Sequence, residues 1–281
     1  MAYTEVSMTA LRQQRLRHRT GPRALVTLVA SALTLWAIPA RAQTPPGRPS
    51  DQDLKTLIDQ IDEGRDKFEG NLDGSFKGST VPGPNGETKV EAALQDYQDS
   101  TKKLQSRFNS DYAAGPEAST VLKQATSIER FMKGQPATMK GRPEWDRHAA
   151  GLKLLAQAYG TTFPLPEGAS ASRVNDKEPI ADAAAIASAG EEFKDDLDKL
   201  KTLPKADRDV AKKDVDVVIK QANTVKDRIS DGKPATSDVQ LLATHVAKLQ
   251  PLVDAHPEVA PNWQSLRTSL GQLQQAFFLT R

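Results

Sequence analysis

The sequence predicts an all-α protein: two tandem antiparallel helical bundles of about four helices each, related by internal duplication and preceded by a signal peptide. Three observations carry this reading. Beyond residue 50, apolar side chains recur three or four residues apart, so they share one face of a helix. Proline and glycine fall between those stretches, where helices start and stop. Segments of the first half also recur, in order, in the second.

The first 42 residues stand apart. Arg12, Arg15, Arg17, Arg19 and Arg23 precede an apolar run over residues 24–38, then Pro39 and the tripeptide Ala40-Arg41-Ala42. Small residues at 40 and 42 suit a signal peptidase, which predicts cleavage after Ala42 and a periplasmic or secreted mature protein. Met8 opens an equally good signal. An apolar run this short falls below the roughly 20 residues that span a bilayer, which argues against a membrane anchor after cleavage. With no cysteine anywhere, the chain has neither a lipid attachment point nor disulfides, and burial alone must stabilise it. The absence of an Arg-Arg pair argues against export in the folded state.

Removing the signal reverses the charge balance. The whole chain carries 38 basic and 36 acidic side chains; residues 1–42 hold six Arg and one Glu, so 32 basic and 35 acidic side chains remain. A nucleic-acid binder needs a basic footprint, because phosphate neutralisation supplies most of its affinity. That class is excluded as a partner, and the partner class left open is protein.

Residues 43–50 are predicted as a disordered mature N-terminus, and residues 51–160 as the first bundle. Ser50 caps its first helix, paired with Asp53, and the apolar stripe is Leu54, Leu57, Ile58, Ile61 and Phe68. A second helix follows Val90, Leu94, Tyr97, Thr101, Leu104 and Phe108. A third runs from Pro116 through Val121, Leu122, Ala125, Ile128 and Met132 to Gly134. The fourth opens at Pro143 and carries Trp145, Ala149, Leu152, Leu155 and Tyr159. Residues 161–178, rich in Pro, Ser and Ala, read as a linker.

The second bundle spans 179–281. Its helices open at Pro179 (Ile186, Gly190, Phe193, Leu197, Leu200) and continue with Ala211, Val215, Val218, Ala222, Val225 and Ile229. The next opens with Ser237 and Gln240 as a capping box and buries Leu242, Val246, Leu249 and Val253. The last opens near Pro261 with Trp263, Leu266, Leu270, Leu273 and Phe277.

The repeat is the most specific signal. Val121-Leu122-Lys123-Gln124-Ala125 matches Val218-Ile219-Lys220-Gln221-Ala222, and Gly134-Gln135-Pro136-Ala137-Thr138 matches Gly232-Lys233-Pro234-Ala235-Thr236. Trp145, Leu152, Leu155, Ala158 and Tyr159 match Trp263, Leu270, Leu273, Ala276 and Phe277. Upstream, Tyr97, Thr101 and Leu104 align with Phe193, Leu197 and Leu200. In this alignment the seventh helix is an insertion of 20 residues. The two tryptophans are then equivalent core anchors.

Motifs of chemistry are sparse. There is no Gly-x-Ser-x-Gly elbow, phosphate-cradling Gly loop or His-Glu-x-x-His helix, and no catalytic, cofactor-binding or metal residue is assigned. The mature chain has three histidines, His148, His245 and His256. His148 reads as a partly exposed structural residue. The alternative is a haem or copper carrier, with His148 and Met132 or Met139 as ligands in a bundle. Adjacent carboxylates Asp62-Glu63 and Asp195-Asp196 point in different directions on a helix and read as solvated faces. Residues 70–87 break the helical pattern with five Gly and two Pro, and Asn85-Gly86 there suits a hairpin turn. The stretch is either a plain connector or a recognition loop; it has no counterpart in the second half. The expected function is therefore binding or scaffolding outside the cytoplasm, without catalysis.

Overall fold

The computed structural model describes residues 47–279 except 77, 84 and 85; the signal segment 1–42 and residues 43–46 lie outside the described residues. The described chain is all-α apart from one hairpin. Its helices are α1 (Asp51–Asn71), α2 (Val90–Arg107), α3 (Gly115–Lys133), α4 (Arg142–Ala158), α5 (Lys177–Lys199), α6 (Lys205–Ser230), α7 (Thr236–Ala255) and α8 (Ala260–Ala276). No helix among the described residues is long and apolar enough to cross a membrane.

Local chemistry sets most boundaries. Ser50 Oγ accepts the Asp53 N–H at 3.1 Å, satisfying one of the free donors at the start of α1. Pro116, Pro143 and Pro261 sit in the first turns of α3, α4 and α8, where no backbone donor is needed. The start of α7 departs from expectation. The helix begins at Thr236, with Ala235 before it making no side-chain cap bond, so Ser237 lies inside the first turn instead of capping it.

Packing closes each half into a ring. α1 packs on α2 and α4, and α3 bridges α2 and α4; α5, α6, α7 and α8 repeat that order. Extended helix-on-helix packing stays within each ring, and each encloses its own apolar core. Trp145 and Trp263 are buried in these cores, each the fourth residue of the ring's last helix. Trp145 packs against Phe68 at 5.0 Å and Trp263 against Phe193 at 5.8 Å between ring centroids, both pairs tilted.

In the first ring the first helix meets the last through Phe68 and Trp145, and in the second through Phe193 and Trp263. By packing order alone α6 corresponds to α2 and α7 to α3. Every helix here carries the same 4-3 apolar spacing, so a sequence match can slide by one whole helix at little cost in similarity. With Phe68 and Phe193 aligned, buried Arg65 of α1 falls opposite buried Gly190 of α5. A Cβ at Gly190 would lie 2.7 Å from Ile219 Cγ1, whereas one at Gly271 in α8 would meet nothing within 4 Å. Gly190→Ala is expected to destabilise by about 1–2 kcal/mol, overpacking outweighing helix propensity. Gly271→Ala is expected to stabilise by about 1 kcal/mol. Denaturant titration of the two variants checks both signs.

Two segments read as irregular are tied into the fold. In 161–178, Phe163, Leu165 and Ala171 are buried in the first core. Leu165 N–H donates to Thr126 Oγ1 at 2.8 Å and Ala171 N–H to Ser119 Oγ at 2.7 Å, strapping the segment to α3. Residues 47–50, placed in the expected disordered N-terminus, instead run against the junction of the rings, where Arg48 is buried.

Candidate functional site

The first ring differs from the second by what lies between its first two helices. α5 and α6 are joined by residues 200–204, whereas α1 and α2 are separated by residues 72–89. This longer segment leaves α1 at Leu72, turns at Asp73, whose Oδ1 accepts the Ser75 N–H at 2.9 Å, and makes one 3-10 turn, Gly74–Phe76. That hydrogen bond holds the exposed Asp73 carboxyl below its ordinary range. The Phe76 ring meets Phe131 of α3 edge-on at 6.1 Å.

Two antiparallel strands follow, β1 (Thr80–Gly83) and β2 (Gly86–Lys89). Gly83 pairs with Gly86, and residues 84 and 85 between them lie outside the described residues. Gly86, with φ of 116°, is the first residue of β2, a conformation that L side chains rarely adopt. Val81 drops its side chain into the first core and pins the hairpin to the bundle.

Beneath the hairpin lies a groove of about 480 Å³. It is lined by Val81, Pro82 and Thr88 of the hairpin, Ala93 and Asp96 of α2, Lys123, Gln124, Ser127 and Arg130 of α3, and Leu165 and Glu167 of the strap. Asp96, Lys123, Arg130 and Glu167 form no ion pair among the described residues. Gln124 Oε1 is buried without a hydrogen-bond partner. The volume falls within the range of small-ligand clefts, and an apolar lining joined by polar groups is the usual composition of a binding site.

Comparison of the chain with protein-family models, with curated proteins and with solved structures found no match. The reading of the site rests on its geometry.

The sequence's other candidates lie elsewhere. His148 is buried, not partly exposed, and its Nε2 is 2.6 Å from the Tyr97 hydroxyl. Its Nδ1 faces Gly64, where a Cβ would come within 2.9 Å. Both ring nitrogens therefore face protein. Burial, reinforced by the charge of Arg65, pushes the imidazole down to about 4. Met132 and Met139 are enclosed in the same apolar core, and among the described residues no three His, Asp or Glu side chains converge as metal ligands. Of the adjacent carboxylates, Asp62 pairs with Arg65 at 2.7 Å, and Asp196 pairs with Lys199 at 3.1 Å and accepts from Asn262 at 2.6 Å. His245 sits on α7 and His256 directly after it.

Arg65, like Arg48 and Arg173, is a buried charged residue that the apolar pattern did not single out. Its side chain is 1% exposed and pairs with Asp62 and Asp66, at 2.7 and 3.0 Å. A signal for it existed: Arg65 occupies an apolar-stripe position, four after Ile61 and three before Phe68.

Proposed function

We propose that this chain is an exported, non-catalytic binding protein built by duplication of a four-helix ring, and that it binds protein through the groove beneath the first ring's hairpin. The observation that carries the reading is the asymmetry between otherwise matching rings: one of them holds an inserted hairpin, and the hairpin roofs a cleft with uncommitted charges at its rim. Structural connectors are normally short, and a long ordered insertion set over a cleft is where recognition usually lies. Both signs of charge along the rim suit a polypeptide, which carries both, better than a nucleic acid.

The duplication is supported by the common ring order, by the two Phe–Trp pairs, and by the ends of α4 and α8. Gly160 and Phe278 follow those helices in the same left-handed conformation, with φ of 66° and 56°. Export is supported by the pattern of residues 1–42 and predicts a secreted form that begins at Gln43. N-terminal sequencing of protein from the native host checks the cut, and an intact Met1 or Met8 start would reject it.

The binding reading is tested by affinity capture outside the cytoplasm with three proteins: the intact chain, a chain with residues 79–89 replaced by a short Gly-Ser connector, and the double variant Lys123→Glu/Arg130→Glu. The two variants are expected to lose the same captured partner while keeping the helical circular-dichroism signal of the parent. An identical catch in all three would sink the assignment.

A further inference from the structure

At the junction of the rings, four charged residues cross in a reciprocal pattern. Arg48 precedes α1 and Arg173 precedes α5, each three residues before an aspartate, Asp51 and Asp176. Arg48 Nη1 pairs with Asp176, and Arg173 Nη2 pairs with Asp51 at 2.8 Å. The backbones cross as well: Asp51 N–H donates to Asp176 Oδ2, and Asp176 N–H to Asp51 Oδ2, both at 2.8 Å. Each arginine also reaches a carbonyl on the far side, Arg48 that of Val174 and Arg173 that of Pro49, again at 2.8 Å. Arg48 lies over the Phe277 ring at the end of α8, and its N–H donates to Thr236 Oγ1 at the start of α7. The guanidinium side chains are 2% and 0% exposed and the carboxylates 17%.

We propose that this crossing is a latch that holds the two rings as one body, and that it works as a conformational device: released, the rings swing about residues 174–175. Two facts support the division of labour. Extended helix packing does not cross between the rings, so the ties at this end carry the relative orientation. Small polar junctions between packed units permit relative motion unless something specific holds them. Half of the latch comes from an arm at the head of the described chain, so trimming or displacing that arm removes Arg48 while leaving both cores intact. Release also opens the cleft of about 760 Å³ beside the latch, whose walls come from both rings, Ser170 and Ser172 on one side and Asp182, Gln272 and Phe278 on the other.

The chain has no cysteine, so Lys103→Cys in α2 and Lys213→Cys in α6, both exposed, provide two unique spin-label sites in the full chain. With the latch intact, electron–electron distance measurement is expected to give one narrow distribution. In Arg48→Ala/Arg173→Ala the distribution is expected to broaden with the helical signal and the buried emission of the tryptophans retained. Arg48→Ala alone, the milder change, is expected to broaden it partway, and Arg48→Lys less. A distribution that stays narrow in the double variant overturns the latch. So does loss of both cores in Arg48→Ala, since the rings would then be one cooperative core and not two bodies bolted together.

Discussion

Replacing Trp145 with alanine is expected to cost about 3–5 kcal/mol of stability, the range for truncating a buried large aromatic. The indole is fully enclosed, packed against Phe68 at 5.0 Å and against His148 at 5.5 Å, and its Nε1–H donates to Glu129 Oε2 at 2.5 Å. Truncation therefore opens a cavity and leaves a carboxylate that is only 16% exposed with Lys133, at 3.3 Å, as its remaining partner. Trp263 is the informative control. It is buried like Trp145, but its Nε1–H has no hydrogen-bond partner among the described residues. Trp263→Phe removes an unsatisfied donor along with part of a ring and is expected to cost much less than Trp145→Phe. Urea unfolding of the three variants measures the ordering. Equal costs for the two phenylalanine substitutions would show that the Glu129 bond contributes nothing.

The contrast between the tryptophans shows what was readable in the sequence. The stripes of α1 to α8, the helix ends at proline and glycine, and the depth of both indoles follow from spacing alone, because burial of an amphipathic face has one period. The same regularity leaves the register between the halves open: stripes with a shared 4-3 spacing align at several offsets, and spacing alone does not foretell the Phe68–Trp145 and Phe193–Trp263 pairs. For the candidate site, glycine content singled out residues 70–87, yet the groove needed α3 and the strap at Leu165 to come beside the hairpin, a long-range juxtaposition with no local signature. The latch was hidden for a similar reason. Arg48 and Asp176 lie far apart in sequence, and an arginine among prolines ahead of a first helix looks like a solvated tail until its partner is in view.

Below neutral pH the first ring is expected to weaken through one residue, His148. In the unfolded chain its imidazole titrates near 6.5; in the fold burial holds it down to about 4. Between those values the unfolded state binds a proton that the folded state refuses, so stability falls as pH drops from 6.5 and the loss is complete near 4. A shift of that size corresponds to about 3 kcal/mol. The groups that face the imidazole account for the refusal. Tyr97 of α2 meets Nε2, Gly64 of α1 closes over Nδ1, Trp145 of its own helix packs against it, and the Arg65 guanidinium of α1 repels any added charge. In the second ring Leu266 stands three residues after Trp263, as His148 stands three after Trp145, and its core cluster is apolar among the described residues. His148→Leu alone would leave the Tyr97 hydroxyl buried without its partner, at about 1–3 kcal/mol. Tyr97→Phe/His148→Leu removes both and isolates the pH effect. Unfolding free energies from pH 7 down to pH 4 are expected to fall about 3 kcal/mol less in the double variant than in the parent. Parallel curves would mean that His148 is protonated in the folded ring and contributes nothing to the acid response.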